Sequence, residues 1–133
     1  MSQLRKFSRK SDNRDHLYRN LATSLVLYEK IETTEAKCKE LKAIIDTLIV
    51  TAKKNNLCAR RSIKSYLFDT NATNKMFEVL IPRFININSG FSRITRLSYR
   101  KGDGSLNCVI ELVKPTDKIS VKLKDRNEGA SQN

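Results

Sequence analysis

Residues 33–54 hold the longest periodic segment in the chain. Leu41, Ile44, Ile45, Leu48, Ile49 and Ala52 recur at spacings of three and four, so they line one stripe of an α-helix and leave Lys37, Lys39, Lys42 and Asp46 largely off it. A stripe of that kind is core packing, and it obliges the rest of the chain to supply a surface to cover it. The ends agree with the face. Thr33 or Thr34 is placed to cap the first turn, Glu35 sits at the positive end of the helix dipole, and Lys53 and Lys54 close the negative end before Asn55 and Asn56.

The covering surface is expected on both sides of this helix. Ser11 or Asp12 is placed to cap an earlier helix whose Leu17, Leu21, Leu25 and Tyr28 share a face. Residues 29–32 are too few to classify and read as a short strand or an extended link. Residues 57–68 suit a short helix packing Leu57, Ile63 and Leu67 and presenting Arg60, Arg61 and Lys64. A further helix over 73–81 would turn Met76, Phe77, Leu80 and Ile81 inward and end at Pro82, which lacks an N–H and disfavours a helical residue before it. Residues 92–100 read as a strand with Ile94, Arg96 and Arg100 on one face and Arg93, Leu97 and Tyr99 on the other. The turn at Lys101, Gly102, Asp103, Gly104 and Ser105 leads into Leu106, Cys108, Ile110 and Leu112, which alternate with polar or outward positions and make a β-hairpin. The G-x-G in that turn lacks the strand-to-helix setting of a phosphate loop. The fold class is therefore α+β: several helices packed on a small sheet that contains a C-terminal β-hairpin, with a basic N-terminal arm.

Charge narrows the function. The 133 residues carry 26 Lys and Arg against 14 Asp and Glu, a net charge of +12. Such an imbalance weakens the compact state by self-repulsion unless a polyanion answers it. No stretch approaches the roughly 20 apolar residues of a bilayer-spanning helix, and the first residues lack an apolar signal core. A soluble, unprocessed, cytoplasmic chain is expected. Cys38, Cys58 and Cys108 are odd in number, widely spaced and without a C-x-x-C pair, which fits half-buried thiols and neither a disulfide framework nor a zinc site. No metal or cofactor is implied.

The division expected is a basic arm over 1–11, one domain over 12–113 and a polar tail over 114–133. The arm has Arg5, Lys6, Arg9 and Lys10 with no acid, so alone it cannot offset its ordering entropy and would order on phosphates. In the tail, Ile119, Val121 and Leu123 would form an edge strand or a mobile end, with disorder from about Asp125. Residues 82–101 carry Arg83, Arg93, Arg96, Arg100 and Lys101, again without an acid. His16 lies near Asp12 and Asp15, yet all three crowd one helix start with no nucleophile in view, so catalysis is not expected there.

The run Tyr18-Arg19-Asn20-Leu21-Ala22-Thr23-Ser24-Leu25, then Glu29-Lys30-Ile31-Glu32-Thr33-Thr34 and Ala36-Lys37-Cys38-Lys39-Glu40-Leu41, closely resembles the bacterial large-subunit ribosomal protein seventeen family. A second block is similar in the same order: Pro82-Arg83-Phe84, Ser89-Gly90-Phe91-Ser92-Arg93-Ile94, Arg100-Lys101-Gly102-Asp103 and Ile110-Glu111-Leu112-Val113. The resemblance covers about residues 9–113. It implies a structural part of the large subunit, not an enzyme, that binds large-subunit ribosomal RNA near the nascent-chain exit tunnel beside neighbouring ribosomal proteins.

Residues and resemblance together nominate Arg5, Lys6, Arg9, Lys10, Arg14, Arg19, Arg60, Arg61, Arg83, Arg93, Arg96, Arg100 and Lys101 as phosphate contacts, with Phe7, Phe84, Phe91 and Tyr99 as candidates for stacking on unpaired bases. Two other classes fit less well. A sequence-tolerant DNA- or RNA-binding regulator of the helix-reading kind needs base-reading residues at a helix start, where the long helix has Thr33-Thr34-Glu35-Ala36. A nuclease needs clustered carboxylates or a metal-bound histidine, and here the acids are scattered.

Overall fold

The computed structural model describes residues 5–113. The expected tail strand and disordered end lie outside the described residues. Helix α1 (Ser11–Tyr28) leads into strand β1 (Lys30–Thr34) and the long helix α2 (Glu35–Lys53). Helix α3 (Leu57–Tyr66) follows, then a helical run made of α4 (Thr70–Lys75), a π-helical turn (Met76–Leu80) and α5 (Ile81–Phe84). Strands β2 (Ser92–Tyr99) and β3 (Leu106–Leu112) complete an antiparallel sheet in the order β1-β3-β2.

The stripe of α2 is buried as expected, with Cys38 added and Ile44 half-buried at its margin. Its first turn is held differently from the expected cap. Thr34 occupies the cap position, but its side chain makes no capping bond, because Thr33 and Thr34 are strand residues paired with Cys108 and Asn107. The backbone passes from ladder to helix without a break.

Helix α1 differs at both ends. Lys10 is its N-cap, with no side-chain bond, and Ser11 is already helical. The buried face runs through Tyr18, Ala22, Leu25 and Val26, while Leu17 and Leu21 flank it and Tyr28 is 73% exposed. Tyr18 tolerates burial because its hydroxyl donates to the Arg5 carbonyl at 2.9 Å. Tyr28 lies outside because the helix stops there: Glu29 turns left-handed (φ 61°) and donates its N–H to Leu25.

In α3, Asn56 caps the helix by accepting from the Ala59 N–H at 2.7 Å, and Ala59, Ile63 and Leu67 are buried. Leu57 is not, because the first helical residue projects ahead of the packed face. The next run begins at Thr70 and passes through Pro82, where an end was expected. The π-turn makes this possible. Ile81 donates to the Met76 carbonyl five residues back, and the wider turn relieves the clash that Pro82 would make with the carbonyl four residues before it.

The hairpin turn closes through Arg100 N–H to Ser105 and Gly104 N–H to Arg100, with Gly102 and Gly104 at φ 105° and 62°. Cys108, Ile110 and Leu112 of β3 face the helices and are buried beside the α2 stripe. In β2, Ser92 and Ile94 face the same way, but a register shift between Arg96 and Tyr99 breaks the strict alternation expected to Arg100. Of the thiols, Cys38 and Cys108 are buried and only Cys58 is exposed, in place of three half-buried ones.

Candidate nucleic-acid interface

The acids explain which cations are available. Among the described residues, Glu29, Glu35, Glu40, Asp103 and Glu111 each pair with Lys or Arg. Asp46 and Asp69 instead accept backbone N–H groups of Phe91 and Asn71. The cations left without an acidic partner are therefore the surplus that a partner would meet.

The described part of the arm folds back on the helices. Phe7 and Ser8 are both left-handed (φ 52° and 51°), which turns the chain so that Phe7 meets Tyr18 edge-on at 6.1 Å. Arg5 lies 3.6 Å from Glu40. Lys6, Arg9 and Lys10 are exposed, with no acidic partner among the described residues, and half-buried Arg14 reaches only the Ser11 hydroxyl.

Arg19 is held by protein. It donates to the Tyr66 carbonyl at 2.8 Å and to the Ser65 carbonyl, satisfying the end of α3, and its guanidinium lies 4.3 Å from the Phe68 ring centroid. His16 stacks on the same Phe68 at 5.5 Å. Among the described residues no three His, Cys, Asp or Glu side chains gather at a metal-sized site, and no helix is long and apolar enough to cross a membrane.

Arg83 is half-buried. It forms two bonds to Glu29, at 2.5 and 3.3 Å, and Lys75 approaches the same carboxylate at 2.9 Å. Its hydrogen bond from Arg83, followed by that from Lys75, outweighs burial and lowers the Glu29 pKa to about 2. The remaining arginines of this region pair at the surface: Arg93 with Glu111 at 3.8 Å, Arg96 with Glu35 at 2.9 Å and Arg100 with Asp103 at 2.5 Å. Arg96 stays 68% exposed, so a paired arginine still has donors facing outward. Lys101 is exposed beside them and has no acidic partner among the described residues.

Two of the four stacking candidates are ruled out by burial. Phe84 and Phe91 are fully enclosed and pack edge-to-face at 5.3 Å, whereas Tyr99 is 72% exposed.

Sequence reasoning placed Arg60, Arg61 and Lys64 on the surface of α3 but missed the cleft they line with Phe77. Arg60 lies 4.8 Å from the Phe77 ring centroid and donates to Asn55 at 3.0 Å, while Arg61 and Lys64 line the same cleft. Phe77 is half-buried there because the π-turn displaces it from the purely inward position that α-helical spacing assigns. A proline inside an otherwise continuous helical pattern is the one signal that pointed to such a turn.

The family model for ribosomal protein L17 matches residues 17–113. The large ribosomal subunit protein bL17 of Caldanaerobacter subterraneus subsp. tengcongensis is 42% identical over 109 residues, covering 82% of this chain and 97% of that protein. The bL17 of Natranaerobius thermophilus is 41% identical over 83% of this chain and 97% of its own length, and that of Staphylococcus carnosus 39% identical over 82% and 98%. The chain belongs to the ribosomal protein L17 family, and is a structural protein of the ribosome and not an enzyme.

Proposed function

We propose that the chain is a structural constituent of the large ribosomal subunit, in the bacterial cytoplasm, where it binds large-subunit ribosomal RNA near the nascent-chain exit tunnel. The observation that carries the reading is the separation of charge. Among the described residues most acids are satisfied within the fold, while Lys6, Arg9, Lys10, Arg61 and Lys101 keep no acidic partner. In this reading they neutralise phosphates of several RNA segments, with Arg5, Arg14, Arg60, Arg93, Arg96 and Arg100 adding the donors that their own pairs leave free. Arg19 and Arg83 contribute mainly by holding α3 and the α1–β1 corner in place. Neighbouring large-subunit proteins cover other surfaces, and neither a membrane nor a small-molecule substrate is involved.

The test is co-sedimentation of the tagged chain with the large subunit at about half-molar salt, where exposed electrostatic contacts are strongly screened. Stoichiometric retention is expected; release into the top fractions would reopen the assignment. With the free RNA, about six independent phosphate contacts give a slope of log affinity on log salt of about −4 to −5. A slope near −1 is incompatible with several RNA segments held at once.

A further inference from the structure

Between α3 and the π-turn lies a cleft of about 310 Å³. Arg60, Arg61 and Lys64 form one wall, and Asn74, Phe77 and Glu78 stand on the other. We propose that this cleft seats one unpaired ribonucleotide, with its phosphate on Arg61 and Lys64 and its base stacked on the Arg60 guanidinium. The inference rests on the RNA-binding reading above and deepens it by assigning a subsite and a nucleotide class.

Three observations support it. Arg60 is already placed as a platform: its guanidinium lies over the Phe77 ring at 4.8 Å, Asn55 holds one of its nitrogens at 3.0 Å, and the residue is exposed. Guanidinium planes and aromatic rings are the usual supports for unstacked RNA bases. Second, the cleft has polarity across its width. Glu78 is exposed, with no cation and no hydrogen-bond partner among the described residues, and it would repel a phosphate. The phosphate is therefore directed to the α3 wall and the base edge to Glu78, whose carboxylate accepts from an exocyclic amino group such as that of cytosine. Uracil has no such group, so cytosine is preferred over uracil. Third, Phe77 and Glu78 both belong to the π-turn that accommodates Pro82, and turns of this kind occur frequently at functional sites.

The larger groove between α1, α2 and α3, about 740 Å³, offers no comparable site, since its one cation, Arg19, is already engaged by the end of α3.

The experiment measures fluorescence anisotropy of the full chain with hexacytidylate, hexauridylate and a short RNA duplex at one fixed moderate salt. The native chain is expected to bind hexacytidylate several-fold more tightly than hexauridylate. Phe77→Leu should weaken hexacytidylate binding about tenfold while changing duplex binding less than twofold. Glu78→Gln, at an exposed position that leaves the fold undisturbed, should bring the cytosine-to-uracil ratio close to one. A native ratio of one, or a ratio unmoved by Glu78→Gln, overturns the subsite while leaving general RNA binding in place. Indifference of the single strands to both substitutions overturns the subsite as well. No salt-dependent binding to any of the three RNAs would overturn the RNA reading itself, and the subsite with it.

Discussion

Glu29 does three things at one position. Its left-handed backbone ends α1, its carbonyl accepts from Leu112 of the sheet, and its carboxylate gathers Arg83 and Lys75. With the carboxyl held at about 2 against an ordinary 4.5, its ionised form stabilises the fold at every pH above the ordinary value. That contribution is lost as pH falls from about 4.5 toward 2. Glu29→Gln is expected to lower unfolding free energy by about 1–2 kcal/mol at pH 7, the pair being partly solvated, and to flatten the acid limb of a denaturation series. Asp103, lowered to about 2 by Arg100 and the Ser105 N–H, titrates across the same range, so a residual slope persists in the variant. The cysteines give a second residue-level expectation. Burial, followed by the neighbouring Cys108, pushes the Cys38 thiol up to about 11, and Cys108 is itself enclosed. At pH 8 a maleimide should label Cys58 alone in the native chain and all three thiols once it is unfolded.

Helix α3 takes its N-cap from one side chain, Asn56. Asn56→Ala removes the bond to the Ala59 N–H, and should cost about 1 kcal/mol in unfolding free energy and speed amide exchange at the start of the helix that carries Arg60 and Arg61. The elements also differ in how plainly residues announced them. The α2 stripe and the hairpin were legible because their periods, 3.6 and 2, run unbroken through Leu41 to Ala52 and Leu106 to Leu112. The burial of α1 was misread, because Tyr18 counts as a surface residue until its hydroxyl finds the Arg5 carbonyl, a contact that spacing does not encode. The helix around Pro82 was cut short because a proline ordinarily ends a helix, and the π-turn that accommodates this one obeys neither period. At the interface, sequence could nominate cations but not subtract their partners. The pairs Arg83–Glu29 and Arg96–Glu35 join residues more than fifty positions apart.

At the scale of the whole molecule, the sheet order has a consequence for how the chain is made. Among the described residues the central strand is β3, the last of the three to be synthesised, and β1 and β2 pair only with it. A chain truncated after Ser105 should keep helical circular dichroism yet lose cooperative unfolding, because β1 and β2 are left with open edges and the stripe of α2 without Cys108, Ile110 and Leu112 against it. Long-range pairing of this kind also folds slowly compared with helix formation. During translation, then, the sheet waits half-built until β3 has left the ribosome, and one insertion completes both ladders. An unfinished copy cannot pass for a finished one.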